Sequence, residues 1–205
     1  AGNARLAAGG IPEDVRILFH EELVQMEAEG TRTPDIAGHD QPEYPVVRTQ
    51  CFAQGGWTVL RAERGASERL LVFDHGELAL GSIAAHGHAD ALSVTLSVDG
   101  VPVLVDSGTY IYHIESRWRD YFRRTAQHNT VTVDGADQSE MKGAFLWGRK
   151  AKTTLLEPPA GSLPDRVRAM HDGYAERGIL HHRTIEWLDF DTLRIEDSLT
   201  AERNE

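Results

Sequence analysis

The chain has little of what defines several large protein classes. Its 205 residues include one cysteine, so no internal disulfide can form, and cysteine usage does not settle the cellular compartment. We expect Cys51 to be a buried, inert thiol rather than a nucleophile. No apolar run is long enough to cross a bilayer. The absence of internal repeats and low-complexity tracts excludes a repeat architecture.

Positive charge is also scarce. Lys and Arg number 21 against 32 Asp and Glu, and the formal net charge is −11. A general nucleic-acid binder needs a basic footprint, so that class is excluded, and an anionic ligand is disfavoured. One stretch is rich in basic residues although the net charge of the chain is negative, and it forms either a local basic surface or ordinary solvated faces. It contains Arg117, Arg119, Arg123, Arg124, Arg149, Lys150 and Lys152.

Alternating apolar and polar residues are the strongest structural pattern. They run through Ala91–Asp106 and are interrupted by Asp99-Gly100, a pair typical of a two-residue hairpin turn. Many short strands of this kind predict a mainly β fold, an antiparallel β-sandwich. The other predicted strands are Trp57–Arg61, Arg69–Phe73, Asn129–Asp134, Lys152–Glu157, Val167–Met170, Arg183–Leu188 and Thr192–Ile195.

Two segments have helical periodicity instead. Ser116–Gln127 predicts a short amphipathic helix inserted between strands, with Ser116 as its cap. Residues 12–29 predict an N-terminal helix, and the proline-containing segment 30–46 that follows predicts a linker. We therefore divide the chain into a helix and linker, 1–45, and a β domain, 46–205. Both ends look cut, and we expect a piece of a longer protein.

Groups able to do chemistry are concentrated in three separate segments. His86-Gly87-His88 precedes the hairpin, Asp106 follows it, and His128 comes later. Imidazole nitrogens and carboxylate oxygens are ligands that zinc accepts, so His88, Asp106 and His128 are candidate ligands of one ion. His86 is then free to transfer a proton. Surface or satisfied core histidines are the plain alternative.

The strand register raises a difficulty for this site. If Val98 pairs with Val101, Asp106 lies opposite Ser93 and faces away from His88. A bulge or bend near Ala89–Ala91, or at Ser107-Gly108, must intervene if Asp106 and His88 share an ion.

Three other polar side chains are candidates for a site. The Asn129 amide is suited to donating to an oxygen that gains negative charge, or to capping a turn. Tyr110 and Tyr112 are suited to stacking on a sugar or transferring a proton, with simple packing as the alternative. Trp147 is expected in the core.

Several motifs in order resemble one family. AAHGHADALSVTLSVDGVPVLVDSGTYIY, RWRDYFRRTAQHNTVTVDGADQSE, FLWGRKA, MHDGY and HHRTIEW are similar to the C-terminal β-sandwich of the heparinase II/III-like polysaccharide lyases, over about Gln54–Leu199. In that family an α/α toroid precedes the sandwich. The resemblance implies that the helix over 12–29 is its remnant, and we expect most of the toroid to lie outside this chain.

The resemblance implies a lyase that cleaves uronate-containing, acidic polysaccharide by β-elimination. It implies that His86 is catalytic, with Asn129 and Tyr110 or Tyr112 beside it, and that His88, Asp106 and His128 bind a structural zinc. The candidate substrate-binding residues are Arg117, Arg119, Arg123 and Arg124. The family's main catalytic Tyr and its carboxylate-neutralising residue belong to the toroid, so the isolated chain is expected to be inactive. The resemblance also implies a bacterial periplasmic or exported protein.

Two other functions remain open from the sequence. A cupin-like metal enzyme would explain the His-x-His pair, but Leu92 and Ser93 stand where its Glu is expected. A noncatalytic carbohydrate-binding or scaffold module would use the aromatic residues and the Arg117–Arg124 segment for sugar contact.

Overall fold

Two five-stranded sheets make up a β-sandwich. The computed structural model describes residues 16–19 (backbone only), 45–79, 81–112 and 114–201. The first sheet is a meander in the order β2-β3-β4-β5-β6, with every neighbouring pair antiparallel. Its strands are Val46–Phe52 (β2), Trp57–Arg64 (β3), Ser67–Asp74 (β4), Val94–Val98 (β5) and Val101–Leu104 (β6).

The second sheet has the order β1-β12-β11-β10-β9. Its strands are Arg16–Phe19 (β1), Thr153–Glu157 (β9), Asp165–Tyr174 (β10), Ile179–Asp189 (β11) and Thr192–Ala201 (β12). Along the chain, between β6 and β9, come helix α1, Ser116–Phe122, a 3-10 turn, Thr125–Gln127, and a small hairpin of Met141–Gly143 (β7) and Leu146–Trp147 (β8). The predicted mainly β sandwich with a short inserted helix is confirmed.

The alternation along the strands places one hydrophobic core between the sheets. Leu71 of the first sheet and Ile185 of the second are both fully buried within it. Burying one such side chain contributes about 1.5–3 kcal/mol, so this shared core is what holds the two layers face to face.

The described residues do not show the predicted N-terminal helix. The prediction over 12–29 lies mostly outside them, as does nearly all of the linker. The one described segment, Arg16–Phe19, is a strand that pairs in parallel with Thr192–Ile195. A short apolar run fits a helix or a strand equally well by its pattern, and pairing with the edge of β12 selects the strand. Among the described residues no helix is long and apolar enough to cross a membrane.

The predicted hairpin is confirmed, and a bulge resolves its register difficulty. Asp99 and Gly100 both have positive φ, 51° and 76°, as a two-residue turn of this kind requires. Ser97 pairs with Pro102, but Leu96 pairs with Leu104, so the register slips by one residue inside β6. The slip turns the chain that leads to Asp106 onto the other face. The expected bulge therefore exists, but not at either predicted place.

The predicted strand Asn129–Asp134 is wrong. Only an isolated bridge from Val133 to Ala136 forms there, around a turn at Asp134-Gly135. The Thr130 hydroxyl donates to the Ala91 carbonyl oxygen at 2.8 Å. Contacts between side chains and the main chain hold this segment in place of a strand ladder.

A row of buried polar side chains extends the inner face of the second sheet. His171, His181 and Arg183 are buried on β10 and β11, and Asp197 of β12 joins them. His171 Nε2 lies 2.9 Å from His181 Nδ1, and His181 Nε2 lies 2.7 Å from Asp197 Oδ1. Burial, then the neighbouring His181 and Arg183, lower the pKa of His171 to about 3, so this ring is neutral at pH 7.

We predict that neutral His171 makes the fold sensitive to mild acid. Its pKa is about 3 in the folded protein and near 6.5 when unfolded, so its stabilisation is lost as pH falls from about 6.5 towards 3. When the pH falls from 6.5 to 5, the free energy of unfolding should decrease in both proteins, but by about 2 kcal/mol less in His171→Gln than in the parent. Urea unfolding at both pH values measures this, and an equal loss in both proteins would contradict it.

Candidate metal centre

Three segments from different parts of the chain meet at one end of the sandwich. His88 precedes β5, Asp106 follows β6, and His128 follows the 3-10 turn. One potential ligand atom from each of the three lies within 4.8 Å of the others. His128 Nδ1 is 2.5 Å from Asp106 Oδ2, and the two imidazole rings are 5.2 Å apart between centroids. The predicted convergence of these residues is present in the structure.

The donor set fits a zinc ion. Two ligands that each lie about 2.1 Å from one ion are at most about 4.2 Å apart, so only small side-chain shifts are needed. The Nε2 atom of His128 is buried and has no hydrogen-bond partner in the described part of the chain. A buried polar atom without a partner is costly, and a bound cation removes that cost.

The charges around the three side chains are strongly coupled. Burial, then the nearby His128 and Arg119, lower the pKa of His88 to about 4, which leaves its imidazole neutral at pH 7. Burial alone would lower the pKa of His128, but the Asp106 hydrogen bond and nearby carboxylates raise it above its ordinary value. Burial raises the pKa of Asp106, but the hydrogen bond and charge of His128, the Gly108 N–H bond and His88 together outweigh burial, so that pKa lies below its ordinary value.

Two further carboxyl groups lie close by and were missed from the sequence. Burial, then the charge of Asp90, raises the pKa of Asp74 to about 7, and burial raises that of Asp90 to about 6. Three carboxyl groups around His128 make this end of the sandwich favourable for a cation. Asp90 continues the alternation of His86 and His88, a signal that was available in the sequence.

His88 has two neighbours that sequence reasoning also missed. The Thr109 hydroxyl lies 3.2 Å from its Nε2 atom, and Arg119 Nη1 lies 3.4 Å from the same atom. Nothing in the local sequence links these residues to His88, because they are 21 and 31 positions away.

Asn129 is a structural link rather than a free hydrogen-bond donor. Its amide nitrogen donates to the carbonyl oxygens of Val94 at 2.8 Å and Val105 at 2.9 Å. Both amide hydrogens are thus used, which corrects the prediction that they would face a reacting oxygen. The contact ties the His128 segment to β5 and to the residue preceding Asp106.

Gly87 is required for close packing. A Cβ atom at this position would lie 2.5 Å from Leu78 Cδ2 and 2.9 Å from Ala79 Cβ. The glycine therefore lets the chain between His86 and His88 pass directly over the segment that contains Leu78.

His86 lies on the outside of the same loop. Its side chain is exposed, and its ring is 5.3 Å from Tyr112 and 6.4 Å from Phe145 between centroids. The guanidinium carbon of Arg119 is 5.3 Å from the centre of the Tyr112 ring. His86 lies in a turn and the chain leaves that turn before His88, so His86 faces solvent whereas His88 faces the other candidate ligands.

The two candidate tyrosines lie in different surroundings. Tyr112 contacts His86, whereas Tyr110 packs on Phe122 and Trp118 at 5.1 and 6.1 Å. Tyr110 is 72% exposed and Tyr112 is 44% exposed. Only Tyr112 is adjacent to the candidate catalytic histidine.

The four candidate substrate-binding arginines do not form one exposed basic face. Arg119 and Arg123 are fully buried, and both donate to the Ala144 carbonyl oxygen. Arg123 also donates to Asp120 and lies over the buried Trp147 ring. The amphipathic helix turns these two inward, which composition alone does not reveal. Arg117 and Arg124 remain exposed and pair with Glu115 and Asp137, respectively.

Two smaller predictions have different outcomes. Trp147 is buried, as expected, at 3% exposure. Cys51 is a free thiol but only half-buried.

Comparison with known families identifies the domain. The family model for the heparinase II/III-like C-terminal domain matches residues 47–205. The chain belongs to this family. No curated protein matches the sequence.

Solved structures show the same fold as this heparinase II/III-like domain. It is similar to a heparinase III with methylated lysines, at 21% identity and a TM-score of 0.62 over 78% of this chain and 22% of that one. It is also similar to the heparan sulfate lyase HepC from Pedobacter heparinus, at 16% identity and a TM-score of 0.60 over 76% and 22% of the two chains. The chain therefore spans about a fifth of the length of these relatives.

We predict that adding one methyl group at Gly87 disturbs the candidate metal centre of this heparinase II/III-like domain. Gly87→Ala overlaps Leu78 and Ala79, so it should destabilise the fold by about 1–3 kcal/mol and weaken zinc binding by about tenfold. Gly143→Ala is the control, because its Cβ meets nothing closer than Leu146 Cβ at 3.9 Å. Calorimetric zinc titration measures the zinc affinity of both variants, and unchanged affinity in Gly87→Ala would contradict the packing role.

Proposed function

We propose that this chain is the C-terminal domain of a polysaccharide lyase that cleaves uronate-containing polysaccharide by β-elimination. Family membership supports the reaction class. The observation that carries the proposal is the division between two neighbouring histidines: His88 faces Asp106 and His128, and His86 faces solvent beside Tyr112.

The proposed chemistry requires two proton transfers on one sugar. A base removes the proton at C5, next to the uronate carboxylate, and the electrons of that bond form a C4–C5 double bond. The C4–O bond breaks, and the leaving oxygen is protonated. His86 is suited to one of these transfers because it is exposed and its ring is held at the edge of Tyr112. Tyr112 lines the same surface.

We propose that His88, Asp106 and His128 hold a structural zinc ion. When bound, zinc would link the three segments and fix the loop that presents His86. The chemistry of the donor set and the unpartnered nitrogen of His128 support this role. His86 is not among the three ligands, so the metal and the proton transfer are assigned to separate residues.

The remaining substrate contacts are proposed to be shared with another domain. The chain spans about a fifth of its structural relatives, so we propose that an N-terminal α/α toroid supplies further catalytic groups and that the isolated chain is inactive. Exposed Arg117, Tyr110 and Tyr112 are suited to contacting an acidic polysaccharide. A bacterial periplasmic or exported location is proposed with this substrate.

We predict that His86→Ala in the full-length protein abolishes lyase activity without loss of zinc. General acid–base groups contribute about 10²–10⁴-fold, so product formation should fall by about that factor. The readouts are ultraviolet absorbance of the unsaturated uronate product, over a panel of uronate polymers, and zinc content. His88→Ala should instead lose zinc. His182→Ala is a control, because this half-buried histidine pairs only with Thr200 in the described structure.

Each outcome separates the proposed lyase from the alternatives. Loss of zinc in His86→Ala would contradict the division between the two histidines. Sugar binding and full activity that both survive His86→Ala would favour a noncatalytic carbohydrate-binding domain. Activity from the 205-residue chain alone would contradict the need for a second domain.

A further inference from the structure

Arg183 bridges two of the segments that build the metal centre. It is buried on β11 of the second sheet. Its Nη1 atom donates to the Leu92 carbonyl oxygen at 2.7 Å and to the Asn129 carbonyl oxygen at 2.5 Å. The guanidinium thus reaches out of its own sheet to two loops that are far apart in sequence.

Both loops carry candidate metal ligands. Leu92 is four residues after His88 and has a positive φ of 60°, a conformation that needs support in a residue with a side chain. Asn129 directly follows His128, and its side chain donates to the carbonyl oxygen of Val105, the residue before Asp106. One guanidinium and one amide therefore connect the segments of all three candidate ligands.

Arg183 is itself held on its other side. Its Nε and Nη2 atoms donate to the two carboxylate oxygens of Asp197, each at 2.7 Å. Asp197 also accepts from His181. This two-bonded geometry fixes the plane of the guanidinium and so the direction of Nη1.

The histidines behind Asp197 are suited to orientation and not to proton conduction. His181 contacts His171, and His171 Nδ1 accepts from the main-chain N–H of Gly173 at 2.9 Å. The row ends at a peptide N–H, which neither gives up nor accepts a proton under ordinary conditions. Its members thus fix one another's tautomers and the position of Asp197.

Stability alone is a weak explanation for this buried group. Replacing a buried ion pair by apolar side chains is often neutral or stabilising, and the adjacent inward-facing position on β11 is the apolar Ile185. A guanidinium that spans two loops, however, fixes their relative position in a way that an apolar side chain does not.

We propose that Arg183, anchored by Asp197, is a positioning residue that holds the His88 and His128 segments in the arrangement that binds the metal. The choice of zinc as the ligand rests on the proposed function, but the role of Arg183 in holding the two loops does not. It concerns how the two loops are held before any ion binds.

The test compares variants of the full-length protein. Arg183→Gln and the milder Asp197→Asn should each weaken zinc binding, by about 10–100-fold for Arg183→Gln, as outer-shell substitutions at metal sites do. Arg194→Gln is a charge-matched control, because Arg194 pairs with Glu186 on the neighbouring positions of β12 and β11. Ile185→Ala is a control for general destabilisation.

Hydrogen exchange of the metal-free protein gives a readout that does not depend on zinc. The amides of Ser93 and Thr130, which bond to Asp90 and His128, should exchange faster in Arg183→Gln and Asp197→Asn. They should stay protected in Arg194→Gln.

The two measurements separate failure of this inference from failure of the proposed function. Parent-like zinc affinity and exchange in both Arg183→Gln and Asp197→Asn would overturn the positioning role. An equal loss of zinc affinity in Ile185→Ala would also overturn it, since the effect would then be general. If the parent binds no zinc but the exchange differences appear, the zinc proposal fails and the loop-positioning role stands.

Discussion

The contact between the Asp106 carboxylate and the His128 imidazole is the interaction on which the rest of the site depends. It joins the end of β6 to the segment after the 3-10 turn at 2.5 Å, although the two residues are 22 positions apart. Each group favours the charged form of the other, which lowers the pKa of Asp106 and raises that of His128.

Contacts outside the pair bring Asp106 and His128 together. The register slip in β6 turns the chain towards His128, and the Asn129 amide then fastens that segment to Val94 and Val105. The same arrangement leaves His86 outside, next to Tyr112. A cluster of candidate ligands beside an exposed imidazole is the physical basis for proposing that metal binding and proton transfer belong to different residues.

Local features of the fold could be predicted from the sequence, because local chemistry determines them. Asp99-Gly100 specifies its turn within two residues, and His88, Asp106 and His128 are recognisable by ligand type. The position of the bulge in β6 could not be predicted, since it depends on how β5 and β6 pack in the finished sheet. The Asn129–Asp134 segment alternates like a strand, but its side chains bond to the main chain of β5 and its neighbours instead.

Which charged side chains are buried could not be predicted from the sequence either. Arg119 and Arg123 look like an exposed basic cluster until helix α1 packs them against the Ala144 carbonyl group. Asp74 becomes part of the site because it is the last residue of β4 and its charge couples there to those of Asp90 and His128. Both outcomes depend on tertiary contacts that a single sequence does not contain.

X-ray absorption spectroscopy at the zinc edge, on the metal-loaded full-length protein, tests the central claim most directly. The account predicts one zinc per chain, with a first shell of imidazole nitrogen and oxygen and no sulfur, and loss of that shell in Asp106→Ala and in His128→Ala. Zinc coordinated by sulfur, or an unchanged shell in both variants, would contradict it.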